Sequence, residues 1–213
     1  MTSERLIETL AAGLTPVRPR RLSRDALLLG AIGTVELALL LMLGGARRDL
    51  ATVMMQPFFW WKLGTMAVLA AIGLVTALRS FDPTLSPRPG LRHATVAVGA
   101  ALAIGWLLDA THRSGASLAA RMQWRDGLHC MTVMALLSVP MFAGLAVLIR
   151  RSAPTDRTGT ALAAGIAAAA WGAFVFTFAC PHDDPLYVAI WYLAGCSLVV
   201  LAARWLLAPM ARW

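Results

Sequence analysis

Long apolar stretches alternate with short polar ones along the whole chain. Six stretches contain about 20 residues each, the length that a helix needs to cross the roughly 30 Å hydrocarbon core of a bilayer. They cover residues 26–46, 58–78, 93–110, 127–149, 160–180 and 186–208. The connections are short and carry helix-breaking prolines such as Pro83, Pro154 and Pro181. The pattern predicts an all-α membrane protein, a compact bundle of six transmembrane helices flanked by residues 1–25 and 209–213.

Composition supports this interpretation. Of the 213 residues, 59% are hydrophobic and 14% are charged, whereas average soluble domains are about 45–50% apolar and about 25% charged. A soluble domain could not cover its surface with so few charges. The sequence shows no Ser/His/Asp arrangement, phosphate-binding glycine loop or nucleotide motif, which argues against an enzyme. The net charge of +8 comes from arginines that fall between the apolar stretches, so membrane lipid rather than nucleic acid is the expected contact.

Positive charges are distributed unequally between the two sides of the predicted bundle. One side, with both termini and the second and fourth loops, carries 13 of the 19 Lys and Arg residues. Short cytoplasmic loops are enriched in Lys and Arg. We therefore expect both termini in the cytoplasm, and a bacterial inner membrane as the location of this multi-pass chain.

The N-terminal segment contains a short amphipathic helix. Its apolar stripe is formed by Leu6, Ile7, Leu10 and Leu14. A helix of about ten residues is not stable alone in water, and its polar face is not basic, as a lipid-bound helix would require. A groove on a partner protein suits the stripe better, although a segment lying on lipid remains the alternative.

Two cysteines are predicted to meet near the outer surface. Cys130, next to His129, opens the fourth stretch, and Cys180 closes the fifth, followed by His182 and Asp183. Thiolate, imidazole and carboxylate groups together can bind zinc, cadmium or copper. The two thiols could instead form a disulfide, or both could be small packing residues. No constitutive cofactor is expected.

Glu36 lies midway along the first apolar stretch, where an ionised carboxylate costs a few kcal/mol to insert. A neutral, hydrogen-bonded packing role and a role in ion transport are both open. A small metal or solute transporter that uses Glu36 and the Cys130/Cys180 site is therefore the alternative function.

Several stretches of the sequence resemble one known family. They are LIETL (6–10) followed by Pro16, GLHC (127–130), LIRRSAP (148–154), and Cys180-Pro181 followed by YVAIWY (187–192). With the chain length and the six spans, they resemble the NrsF-type membrane anti-sigma factors. The resemblance covers essentially the whole chain, and the two separated cysteines are its most specific part.

The resemblance implies a function and assigns residues to it. It implies that the cytoplasmic segment binds an extracytoplasmic-function sigma factor and holds it at the membrane. It further implies that Cys130 and Cys180 sense heavy metals or oxidants. The roles of His129, His182 and Asp183 as metal ligands are inferred from the residues alone.

Overall fold

The structure is a computed structural model that describes residues 3–12, 21–111 and 117–211. The described residues form helices and no strand. Six of these helices are long and apolar enough to cross a membrane. They are α2 (Leu22–Met42), α4 (Pro57–Ser80), α5 (Arg88–Thr111), α7 (Trp124–Arg150), α8 (Arg157–Thr177) and α9 (Pro185–Leu207).

Four shorter elements complete the described chain. The N-terminal helix α1 covers Ser3–Ala12, α3 (Leu50–Val53) lies between the first two long helices, and α6 (Leu118–Met122) precedes α7. A turn of 3-10 helix, Ala208–Met210, follows α9. Because the described part holds an even number of long helices, α2 begins and α9 ends at the same end of the bundle.

The first long helix differs from the prediction in its bounds. It covers Leu22–Met42 rather than 26–46, so it begins inside the segment assigned to residues 1–25. Its C-terminal end is set by Gly44, which has φ +74, a conformation that glycine adopts without a steric cost. The chain therefore leaves the helix before Ala46.

Helix α8 is the centre of the bundle. It packs against α4, α7 and α9, and alanines and glycines occupy most of its buried positions. The helices approach so closely that a Cβ added at Gly73 would lie 2.6 Å from the backbone nitrogen of Ala167, and one added at Gly172 would lie 2.7 Å from the backbone nitrogen of Ser138. Small residues permit this close packing in membranes.

Helices α2 and α5 lie at the periphery. Among described residues, α2 buries Leu29, Gly33 and Glu36, and α5 buries Ala94 and Gly105. Their remaining surfaces carry apolar side chains suited to contact with lipid. We call the end of the bundle with Cys130 and Cys180 the cysteine end, and the opposite end, where α2 begins, the arginine end.

Candidate thiol and imidazole site

Cys180 lies in the loop of residues 178–184 that joins α8 to α9, here called the α8–α9 loop. Helix α8 ends at Thr177, and Asp184 caps the next helix by accepting hydrogen bonds from the backbone nitrogens of Leu186 and Tyr187. Pro185 occupies the first turn of α9, where a missing N–H costs nothing. The loop is thereby held short and places Cys180 against α7.

Both cysteines are buried in one cluster. Cys130 is 3% exposed and Cys180 is fully buried, and neither is in a disulfide. Their sulfur atoms and a ring nitrogen of His182 all lie within 4.8 Å of one another. This spacing suits ligands of one tetrahedral metal ion, whose bonds to sulfur and nitrogen are about 2.0–2.3 Å long.

His182 is oriented so that one ring nitrogen stays available. Its Nε2 lies 2.8 Å from Oε1 of Gln123, and its ring stacks on Tyr187 with centroids 4.4 Å apart. Its Nδ1 is buried and makes no hydrogen bond among the described residues. When Nε2 donates its hydrogen to Gln123, Nδ1 carries the lone pair that a metal ion requires.

Tyr187 and Gln123 support this arrangement. The Tyr187 hydroxyl lies 3.2 Å from the sulfur of Cys130, and Tyr187 is fully buried. Gln123 joins α6 to α7 with φ +35, a left-handed conformation that is uncommon for a residue with a side chain. The contact of Tyr187 with Cys130 and that of Gln123 with His182 involve uncharged groups, and they fix the positions of the sulfur and the imidazole ring.

A buried lysine lies beside the thiols. Lys62 of α4 is 1% exposed, and its Nζ donates to Oδ1 of Asp183 and to the carbonyl oxygen of His182, both at 2.9 Å. The hydrogen bond from the Cys130 thiol and the charge of Lys62 hold the pKa of Cys180 below its ordinary value, although burial opposes them. Cys180 is therefore the sulfur that more readily loses its proton.

Ion pairs fix the α8–α9 loop on two sides. On one side, Nη1 of Arg47 donates to Oδ2 of Asp183 at 2.6 Å. On the other, Arg121 pairs with Asp184 at 2.8 Å and also with Asp109 of α5. Although burial raises the pKa of Asp184, the hydrogen bonds from Arg121 and from the backbone of the first turn of α9 bring it below its usual range.

The structure brings together only part of the predicted ligand set. Cys130, Cys180 and His182 converge, whereas both carboxylate oxygens of Asp183 are occupied by Lys62 and Arg47. His129 is exposed and lies outside the group. The reason is helical geometry, since neighbouring residues of α7 project about 100° apart and Cys130 takes the buried direction.

The other predicted positions lie elsewhere. Glu36 is 9% exposed and accepts a hydrogen bond from Nε1 of Trp171 at 3.0 Å, so it has a packing partner and is not part of the thiol group. Ile7 on α1 is 64% exposed. The side chains of Leu6 and Leu10, and all of Leu14, lie outside the described part of the chain.

Lys62, Arg47 and Tyr187 were not among the site residues predicted from the sequence. The sequence could have identified Lys62, because inserting a lone lysine into an apolar stretch costs free energy unless its charge is paired. It could not have identified Arg47, since a basic residue near a helix end is ordinary in membrane proteins.

Comparisons with known proteins agree with the resemblance. The family described as "NrsF: Negative regulator of sigma F" matches residues 10–213. A "Probable anti-sigma-F factor NrsF" from Azospira oryzae is 32% identical, and an "Anti-sigma-F factor NrsF" from Caulobacter vibrioides is 30% identical, each over the full length of both chains. No solved structure matches. The chain thus belongs to the NrsF family, a family of regulatory proteins named for negative regulation of a sigma factor.

Proposed function

We propose that this chain is a membrane-bound anti-sigma factor of a bacterial inner membrane, with both termini in the cytoplasm. Its N-terminal segment binds a sigma factor of the extracytoplasmic-function class and keeps it from RNA polymerase. The full-length similarity to the two NrsF proteins carries this proposal. The exposed Ile7 on α1 supports it, because an apolar side chain in water is available for a partner groove.

The site at the cysteine end supplies the signal in this proposal. A soft metal ion would take Cys130, Cys180 and Nδ1 of His182 as ligands, and each sulfur that still carries a proton would release it to water. An oxidant would instead accept two electrons as the two sulfurs bond, and the same thiol protons would be released to water. Two observations support these routes: the two buried thiols and a ring nitrogen of His182 lie within 4.8 Å of one another, and Nδ1 of His182 makes no hydrogen bond among the described residues.

The two events differ in the free energy that they can contribute to a switch. Moving a two-state protein from 1:99 to 99:1 requires about 5.5 kcal/mol of differential stabilisation. A structural zinc site can supply about 10 kcal/mol or more, and a disulfide typically contributes about 2–4 kcal/mol. A metal ion could therefore drive the full change, while oxidation would shift the population by a smaller factor.

The partner-binding half of the proposal is tested by capture from solubilised membranes. The full-length chain is expected to retain a sigma factor, and Ile7→Ser combined with Leu10→Ser is expected to lose it while still inserting. Glu8→Gln, on the polar side of α1, is the matched control and should retain the partner. Equal retention by the double variant would refute the assigned binding helix.

The sensing half is tested by exposing the captured complex to cadmium or to a thiol oxidant. Cys130→Ser should keep the sigma factor bound under both treatments, because one ligand and one disulfide partner are missing. Cys196→Ser is the control, since that thiol lies in α9 and outside the ligand group. Normal release by Cys130→Ser would refute the sensing role.

The transporter alternative is not favoured. It required Glu36 and the thiols to act together, whereas the structure gives Glu36 a hydrogen bond from Trp171 and places it outside the thiol group.

A further inference from the structure

Helix α2 is the span that continues directly from the cytoplasmic segment, since only residues 13–21 separate it from α1. It is also weakly embedded. Among its described residues, Leu29, Gly33 and Glu36 are buried. A helix with so small a buried area can change its position at a lower cost than α8, which is buried on most of its surface.

The segment that follows α2 is joined to the α8–α9 loop through Arg47, which lies after the turn at Gly44. Its backbone nitrogen donates to the carbonyl oxygen of Phe178 at 2.9 Å. Its guanidinium donates to the carbonyl oxygen of Cys180 at 2.9 Å, to Asp183 at 2.6 Å and to the carbonyl oxygen of Pro181 at 3.3 Å. Arg47 thus contacts the backbone of the residue whose sulfur belongs to the proposed sensor.

The middle of α2 is joined to the central helix through Trp171. A Cβ added at Gly33 would lie 2.7 Å from the indole of Trp171, so the missing side chain makes room for the ring. One helical turn further along α2, Glu36 accepts the indole hydrogen bond at 3.0 Å. The other carboxylate oxygen of Glu36 is buried without a hydrogen-bond partner among the described residues, so the Trp171 bond is the polar contact that offsets the burial of this group.

Two aromatic side chains of α8 and one at the start of the α8–α9 loop connect the two attachment points. Trp171 stacks on Phe174 with ring centroids 5.2 Å apart, and Phe174 meets Phe178 edge to face at 5.7 Å. Phe178 in turn accepts the backbone hydrogen bond of Arg47. One contiguous set of contacts therefore runs from the α8–α9 loop to the middle of α2.

We propose that α2 carries the state of the α8–α9 loop to the cytoplasmic helix, with Arg47 and the Trp171–Glu36 pair as positioning residues. The inference rests on the proposed function. Ligation or bridging of Cys180 displaces its own backbone, Arg47 follows because it holds that carbonyl and Asp183, and α2 shifts relative to Trp171. The sigma factor is then released because α1 is attached to α2.

The test substitutes Trp171→Phe, which keeps an aromatic ring and removes the N–H donor. The matched control is Trp61→Phe, because Trp61 also donates an interhelical hydrogen bond, to Ala101 of α5 at 3.1 Å, and that bond is not one of the contacts that link Arg47 to Glu36. The readout is the ratio of the affinities for the captured sigma factor without and with saturating cadmium. We expect Trp171→Phe to reduce this ratio about fivefold or more, the effect of losing one hydrogen bond of about 1 kcal/mol, with cadmium binding to the chain without sigma factor unchanged.

A second readout needs no sigma factor. The full-length protein is labelled with fluorotryptophan, and the fluorine resonances of Trp171 and Trp61 are assigned from the two variants. Cadmium should shift the Trp171 resonance, and the resonance of Trp61, which packs against the cluster of both thiols, reports whether the metal site is filled. If Trp171→Phe does not accumulate, Glu36→Leu removes the acceptor of the same bond and carries the same expectation for the affinity ratio.

The outcomes separate this inference from the function on which it rests. A wild-type chain that captures no sigma factor refutes the proposed function, and the fluorine spectra then still report on α2. Three outcomes would refute α2 as the transmitting helix. The affinity ratio of Trp171→Phe could equal that of the wild type, or Trp61→Phe could reduce the ratio as much as Trp171→Phe does. The third outcome is a Trp171 resonance that cadmium does not shift.

Discussion

Replacing Lys62 by methionine removes a buried positive charge beside the thiols while keeping an apolar side chain of similar length. Nζ of Lys62 lies 2.9 Å from the carbonyl oxygen of His182, and the sulfur of Cys180 lies 3.6 Å from the same oxygen. The nitrogen and the sulfur are therefore at most about 6.5 Å apart. At an effective dielectric constant of about 20, a charge pair at that distance contributes about 2.5 kcal/mol, or nearly two pH units.

The sign of the pH effect follows from the acidic character of the thiol. The pKa of Cys180 is depressed by the hydrogen bond from Cys130 and by Lys62. The thiolate of the folded protein therefore forms below the ordinary value of about 8.5. Its contribution to stability is present above the unfolded pKa and is lost as the pH falls through the lower folded pKa. Lys62→Met should raise the midpoint by about one to two pH units, since Asp183 cancels part of the lysine charge.

The assay is the ultraviolet absorption of the thiolate against pH in the solubilised full-length protein, with Cys180→Ser spectra subtracted. Lys62→Arg retains the charge and should stay near the wild-type midpoint. Arg125→Met removes an exposed charge from α7 and should leave the midpoint unchanged. A Lys62→Met midpoint equal to that of the wild type, or an equal shift in Arg125→Met, would refute the electrostatic account of Cys180.

Two further predictions concern the site and the packing. His182→Ala should weaken cadmium binding at least tenfold in equilibrium dialysis, because one ligand atom is lost, and should leave oxidation of the two thiols intact. The control His129→Ala should change neither cadmium binding nor thiol oxidation. An equal loss of cadmium binding in both variants would contradict the ligand assignment. Gly73→Ala should destabilise the bundle by about 1–3 kcal/mol in thermal unfolding, because its Cβ would meet the backbone of Ala167 at 2.6 Å. Gly64→Ala, where nothing lies within 4 Å, should not lower the stability, and a similar loss there would contradict the close-packing argument.

The sequence predicts the six long helices well because each apolar stretch has to satisfy its own backbone hydrogen bonds in lipid. It also indicates that Cys130 and Cys180 are neighbours, since two consecutive spans joined by a short loop are antiparallel. The end of α2 was missed because hydropathy continues past Met42, whereas the backbone turns at Gly44.

The ligand set could not be predicted in full, because sequence spacing does not fix where side chains point. His129 is adjacent to Cys130 in the sequence and His182 is two residues from Cys180, yet only His182 enters the group. Asp183 forms ion pairs with Lys62 of α4 and with Arg47 in the segment after α2. Ion pairs between distant parts of the chain leave no local pattern in the sequence. The partner of Glu36 was hidden for the same reason, since an indole on another helix carries no charge to match.

The most direct measurement follows the two ends of the molecule in the same sample. Membranes that hold the full-length chain with its captured sigma factor are titrated with cadmium, and both metal bound per chain and sigma factor retained are recorded. We predict that retention falls in step with occupancy of one metal site, that Cys196→Ser follows the same curve, and that Cys180→Ser shows neither binding nor release. A site filled with cadmium while the sigma factor stays fully bound would contradict the account.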